Sequence, residues 1–237
     1  MPVGNPDPSI DKVRDYLISL KGFNEFFGNL LIERRANPTE DIISDVATAE
    51  VNDEELNDAE MLSMLQQFLV AGNETTTKLL TNLIHRLAVD SELEDKLRSN
   101  PDLIDNFIEE GLRYEAPVGG LFRMAKEDTQ VNDIEIKAGD HLWVIYAAAN
   151  RDPAIFDNPD DFLVDRENAR EHLAFGHGEH YCIGALLARK EARIAIQLLL
   201  ANIENIQLVE DKNKYEYEES FVLRGLKELH VSYDVIS

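Results

Sequence analysis

The 237-residue sequence holds a single cysteine, at position 182. One thiol can neither close an internal disulfide nor build a multi-thiolate zinc site, so the chain suits a reducing, cytoplasmic setting. No run approaches the roughly 18 consecutive apolar residues of a membrane-spanning helix. Positive charge is scarce: 23 Lys and Arg stand against 46 Asp and Glu, a formal net charge of −23. Such a chain could not neutralise a phosphate backbone, which excludes nucleic acid as a partner, and it would not dock on an anionic membrane. The opening, Met1-Pro2-Val3-Gly4-Asn5-Pro6-Asp7-Pro8, lacks the basic and apolar regions of a signal peptide. What the sequence does have is an ordinary globular balance, 44% hydrophobic and 29% charged. Its length allows one large domain or two small ones around a substantial core.

Helical signals fill the first half. Ser9 can cap a helix running to about Ala36, with Val13, Leu17, Leu20, Phe27, Leu30 and Leu31 at helical spacing, and Asn37-Pro38 ends it. A short helix is expected from about Asp41 to Ala49. Asn57, with Glu60 three residues on, forms a capping-box pattern that opens a helix of about 30 residues reaching Val89. Ser91 with Glu94 is a second cap pattern, and Asn100-Pro101 starts a third helix that ends before Pro117. Strand character begins near Gln130. Residues 134–144 read as two short strands about the Gly139-Asp140 turn. Residues 150–180 read as an irregular loop, Ile183 to Ala201 as a helix, and Ile206–Val209 and Leu229–Tyr233 as strands. A loop of some 30 residues with little regular structure is usually functional, and this one leads to the only cysteine.

The segment Phe175-Gly176-His177-Gly178-Glu179-His180-Tyr181-Cys182-Ile183-Gly184 is a glycine-rich turn feeding a cysteine at the start of a helix. Glycines permit positive φ and close approach of a flat ligand to the backbone. A helix start favours thiolate over thiol through its free N–H groups and dipole. The string resembles the heme signature of the cytochromes P-450, with Phe175, Gly178, Cys182 and Gly184 at the four matching positions. The resemblance implies that Cys182 is the axial iron ligand, that Phe175 shields its sulfur and that His180 reaches a heme propionate.

Three further motifs follow the same order along the chain. Ala71-Gly72-Asn73-Glu74-Thr75-Thr76 puts a glycine, costly in mid-helix by about 1 kcal/mol, beside hydroxyl side chains that can open the helical ladder. It is similar to the family's oxygen-activation motif, with Glu74 and Thr75 as the acid and alcohol that relay protons, and Ala71 and Gly72 against the cofactor. Glu110-Gly111-Leu112-Arg113 places an acid and a base on one helix face, as does Glu167-Asn168-Ala169-Arg170. The first, followed closely by Pro117, resembles the family's Glu-x-x-Arg pair, whose third member would be Arg166 and whose task is to fix the cysteine loop. Arg123 matches the position whose planar guanidinium grips a propionate. Val118, Gly119, Leu121 and Phe122, together with Ser220, Phe221 and Val222, match substrate-facing segments.

The resemblance implies a mostly α, α+β fold: the cytochrome P-450 fold lacking its N-terminal region, with residues 1–237 as the C-terminal heme-binding portion. It implies heme b (iron protoporphyrin IX), a small apolar organic substrate, and electrons from NAD(P)H delivered by a ferredoxin-type or other reductase partner. Family members carry a long segment before the helix expected at residues 9–36. Without that segment one heme face would stand open, and the expectation is partial or absent heme and self-association of the chain.

Overall fold

The computed structural model describes residues 9–236, so the reading of the opening at residues 1–8 lies outside the described residues. The chain divides into two units, Met1–Glu74 and Thr75–Ser237.

In the first unit, helix α1 (Ile10–Ala36) starts at Ser9, whose hydroxyl accepts a hydrogen bond from the Lys12 amide. Its half-buried line runs through Val13, Tyr16, Leu20, Phe23 and Phe27 to buried Leu31. Leu17, expected in that stripe, is displaced by about 100° from Tyr16 and is exposed instead. Helix α2 (Ile42–Ala47) is capped by Asp41, whose carboxylate accepts from Ser44 N at 2.7 Å. A hairpin that the pattern did not announce follows, β1 (Glu50–Val51) with β2 (Glu54–Glu55). Its turn residues Asn52 and Asp53 both take positive φ, 55° and 64°, the geometry that favours Asn and Asp in tight hairpins. Helix α3 (Asp58–Val89) opens on the expected capping box. Asn57 Oδ1 accepts from the Ala59 and Glu60 amides, and Glu60 Oε2 accepts from Asn57 N at 2.9 Å. Leu31, Val46, Ala47, Met61 and Leu65 form this unit's core.

The second unit holds the rest of α3, then α4 (Ser91–Ser99), a 3₁₀ turn at Pro101–Leu103 and α5 (Ile104–Tyr114). The cap of α4 is Asp90 rather than Ser91, its carboxylate accepting from Leu93 N at 3.0 Å. Glu94 is freed from capping and sits buried, accepting from Arg98 and from the Ile206 amide. Leu79, Leu83 and Leu87 of α3 meet Phe107, Ile108 and Leu112 of α5 in the main core. The approach is so close at Gly111 that an added Cβ would lie 2.4 Å from Leu83 Cδ2.

The strands pair differently from the sequence expectation. β3 (Leu121–Met124) pairs antiparallel with β6 (His141–Val144), and β4 (Thr129–Val131) with β5 (Ile134–Ile136). Residues 134–144 are therefore not one hairpin. The tight turn is Asn132-Asp133, with Asn132 at φ 51°, while Gly139 (φ 90°) turns the chain from one pair to the other. After α6 (Tyr146–Ala149) the backbone stays irregular, apart from 3₁₀ turns at Ala169–Glu171 and Gly178–His180, until α7 (Ala185–Asn202). Helix α7 passes directly into β7 (Ile203–Leu208), which pairs with β8 (Val231–Val235) across a bulge between Glu204 and Gln207. Ala192, Ile196 and Leu200 are the α7 contribution to the core.

Candidate functional site

The cysteine loop is closed by one backbone bond: Cys182 N donates to Phe175 O at 2.9 Å. Gly176 and Gly178 inside it take φ values of 73° and 72°, which side-chain-bearing residues adopt only with strain. Cys182 is exposed, and it lies three residues before the first residue of α7 instead of in its first turn. Its carbonyl accepts from Ala185 N at 3.2 Å, and Gly184 is the helix cap. The helix dipole therefore reaches the sulfur from about one turn away, a weaker influence than the sequence implied.

Beneath the loop are two buried ion networks. The predicted one is complete. Glu110 takes both carboxylate oxygens to Arg113 in a fork, at 2.7 and 2.8 Å, and Arg166 Nε stands 3.1 and 3.2 Å from the same two oxygens. The Glu110 and Arg113 side chains are 0% exposed and that of Arg166 4%. Their remaining donors go to the loop backbone. Arg113 reaches the carbonyls of Asn150, Pro159 and Asp161, and Arg166 those of Asp157, Asn158 and Asp161. The irregular segment is thus held by carbonyl bonds to two buried guanidinium groups. Asn150, wholly buried and not foreseen, adds a bond from Leu173 N to its Oδ1 at 2.6 Å.

The second network was not foreseen either. Glu109, the residue before Glu110, is buried and accepts from Arg189 Nε and Nη2 at 2.7 and 3.0 Å and from His172 Nε2 at 3.0 Å. Ala174 N donates to His172 Nδ1, which assigns the ring proton to Nε2. Burial alone would push the Glu109 carboxyl up, but the hydrogen bonds from His172 and Arg189 outweigh it and hold the pKa at about 2. Arg189 also covers the Phe175 ring at 4.5 Å and donates to the Tyr181 hydroxyl. It therefore touches both ends of the cysteine loop. Arg170, whose spacing suggested a pair with Glu167, reaches Glu109 instead at 3.6 Å.

The other expected residues are placed as follows. Arg123 on β3 is half-buried, donates to Phe122 O and approaches the Tyr146 hydroxyl at 3.4 Å, and among the described residues it makes no ion pair. Tyr146 Oη lies 3.6 Å from where a Cβ on Gly176 would stand, so Arg123 is linked through Tyr146 to the cysteine loop. His180 is exposed. Val118 bridges to Leu223, and Gly119 N donates to Val222 O at 2.8 Å, which brings the tail turn against residues 118–122. Leu121, Phe122 and Phe221 are exposed, with Phe122 stacked on Trp143. On α3, helix runs unbroken through Gly72, so the ladder is not opened there, although among the described residues no atom beyond its own helix backbone lies within 4 Å of a Cβ added to it. Ala71 is exposed, while Glu74 and Thr75 are half-buried, and all three are engaged in interactions.

This donor set fits a heme. No cluster of three His, Cys, Asp or Glu among the described residues could hold a metal, so an ion on Cys182 would take its other ligands from outside these side chains, as the ring nitrogens of a heme provide. Beside that thiol Ile183 and Leu186 present exposed apolar side chains, at 89% and 82%, next to the exposed polar His177, Glu179 and His180, and among the described residues Arg123 has no carboxylate partner. A flat apolar ring with carboxylate arms meets both conditions.

An exposed cysteine presented by a glycine-rich loop and braced by buried Glu–Arg pairs is the arrangement of the heme-thiolate class. The cytochrome P450 family profile matches residues 14–230, and the chain belongs to that family. It is 41% identical over 212 residues to a cytochrome P450 of Bacillus subtilis, covering 89% of this chain and 52% of that one. It is 39% identical to the biotin biosynthesis cytochrome P450 of the same organism, over 88% of this chain and 52% of the relative. Among solved structures, substrate-free CYP109E1 from Bacillus megaterium superposes with a TM-score of 0.91 at 32% identity, covering 99% of this chain and 62% of that one. The chain thus spans about half the length of the curated relatives it matches. The expected P450 fold, represented in part, is what the structure has.

Proposed function

We propose that the protein works as the thiolate-bearing part of a heme-thiolate monooxygenase that inserts one oxygen atom of O₂ into a small apolar organic substrate. The observation that carries this reading is the exposed Cys182 thiol in a loop closed onto Phe175 and braced by two buried ion networks. Cys182 would hold the iron of heme b, with Gly178 and Gly184 shaping the loop, Phe175 behind the sulfur, and Arg123 and His180 on the propionates. Bound there, the heme supplies an iron centre at which dioxygen is reduced, with the thiolate pushing electron density that favours O–O cleavage. Glu74 and Thr75 deliver protons, Ala71 and Gly72 border the cofactor, and Val118, Gly119, Leu121, Phe122 and Phe221 face the substrate. Glu110, Arg113 and Arg166 hold the loop.

Relatives support an apolar substrate. CYP109E1 has been solved with testosterone and with corticosterone, and P450BioI with an acyl carrier protein ligated to hexadec-9Z-enoic acid. Electrons would come from NAD(P)H through a ferredoxin-type partner. A cleft beside α7 gathers Arg170, Arg189, Lys190 and Arg193 against the acids Asp105 and Glu109, and this local excess of positive charge on an otherwise acidic chain is a place to receive it. No helix among the described residues is long and apolar enough to cross a membrane, and a cytoplasmic site of action agrees with the lone free cysteine.

A second reading is an apo chain that associates with itself, favoured by exposed Ile18, Phe26 and Ile32 on α1. Hemin titration of the purified chain, followed by reduction under carbon monoxide, separates the two. Saturable binding with the red-shifted carbonyl band of thiolate ligation supports the first, and oligomers that take up no hemin support the second.

A further inference from the structure

Lys78 of α3 is a charged residue in an unusual place, with only 7% of its side chain exposed. Burying an ammonium is costly unless a carboxylate and good packing compensate. Both are present, and both come from the tail of the chain. Glu218 Oε1 stands 3.7 Å from Lys78 Nζ. Gly225 lies so close that an added Cβ would be 2.7 Å from Lys78 Cγ, 2.8 Å from Cδ and 3.0 Å from Cβ. Those atoms are the base of the lysine rather than its mobile end, so they could not step aside cheaply. Glu218 N donates to Gly225 O at 3.1 Å. The residue that meets the ammonium and the residue that admits its stem are therefore bonded across one hairpin.

That hairpin is fastened again at its base. Tyr217 bridges to Leu226, Arg224 covers the Tyr217 ring at 4.2 Å, and both reach the Glu115 carboxylate at 3.4 Å. At the tip, Ser220 Oγ accepts from the Val222 and Leu223 amides, and Phe221 is left exposed. Phe221 and Val222 line a cleft of about 210 Å³ together with Gly119 and Trp143. The tip thus forms one wall of that cleft, and Glu218, which meets Lys78 of α3, lines it too. Lys78 is three residues past Thr75 on that helix.

We infer that Lys78, with its stem on Gly225 and its ammonium at Glu218, is a strut that sets the position of the Phe221–Val222 tip and so selects substrates by size. Lys78 is a positioning residue, and the inference rests on the reading of residues 118–122 and Phe221 as substrate-facing.

The test uses the full chain loaded with heme, the variants Gly225→Ala, Glu218→Gln and Lys78→Arg, and the double variant Lys78→Ala/Gly225→Ala. Lauric acid and testosterone serve as slim and bulky apolar probes, their Kd values read from the heme spectrum, and amide exchange is followed over residues 216–227. In Gly225→Ala and Glu218→Gln, exchange should rise about fivefold, the effect of losing roughly one buried contact. The ratio of the two Kd values should move by a similar factor, while the red-shifted carbonyl band stays in place. Lys78→Arg should keep the parent ratio, and Lys78→Ala should restore exchange protection in the Gly225→Ala background. Unchanged exchange overturns the strut, and faster exchange with an unchanged Kd ratio overturns its part in specificity. If the parent shows no thiolate–carbonyl band, it is the heme-thiolate reading that fails, and the exchange measurement alone then decides the strut.

Discussion

Glu109 and Glu110 are neighbours on α5, each buried, yet they answer to different partners because successive helical residues point about 100° apart. Glu110 belongs to Arg113 and Arg166, Glu109 to Arg189 and His172. Only the first set was legible in the sequence, where Glu110 and Arg113 share a helix turn and a known motif. The partners of Glu109 lie 63 and 80 residues away in sequence, and no local spacing can announce a pairing made by the fold. Its pH signature follows from the sign of the shift. The Glu109 carboxyl falls from 4.5 to about 2 in the folded chain, so the stability it lends is present above about pH 4.5 and is lost as pH falls through about 2. Denaturation midpoints of parent and Glu109→Gln should differ most near pH 6 and converge towards pH 2. A gap that stays constant across that range would show that the ionised carboxylate is not what stabilises. Thr75→Ala belongs to the same scale. In an enzyme of full family length it should leave heme content intact and divert electrons from product to hydrogen peroxide, measured as product formed per NAD(P)H consumed. Unchanged coupling would leave Thr75 a helix-face residue.

Among the elements, the helices were readable because their ends carry local chemistry: the Asn57–Glu60 box and the Ser9 cap are both made as the residues suggest. The one displaced cap is instructive. Asp90 and Ser91 are both good caps, and the choice of Asp90 leaves Glu94 to fasten Arg98 and the middle of β7 at Ile206. Strand partners were not readable, since β3 and β6 meet across an inserted hairpin and nothing in either four-residue segment names the other. Gly111 gives the sharpest test of helix packing. Gly111→Ala should destabilise the second unit by about 1–3 kcal/mol, because the new methyl meets Leu83 in a filled core. No change in the denaturation midpoint would mean that α3 and α5 are less closely packed than described. Replacing Glu110 or Arg113 by a neutral residue should cost about 3–5 kcal/mol by leaving a buried charge unpaired. The protein recovered should be mainly heme-free, whereas Glu167→Gln, outside the network, should retain parental heme content. Normal heme in the Glu110 and Arg113 variants would remove their role in holding the loop.

For the whole molecule, the −23 charge and single thiol exclude several classes of protein, but they could not point to one; the cysteine loop did that. What brings its supports together is the long irregular segment, organised by carbonyl bonds to Arg113 and Arg166 rather than by regular structure. Cys182 is the only thiol available to an iron. The most direct measurement is therefore the carbon monoxide spectrum of the reduced, hemin-loaded chain beside that of Cys182→Ser. The parent should give the red-shifted carbonyl band of thiolate ligation and the serine variant should lose it while its circular dichroism is unchanged. The same band in Cys182→Ser would contradict ligation by Cys182.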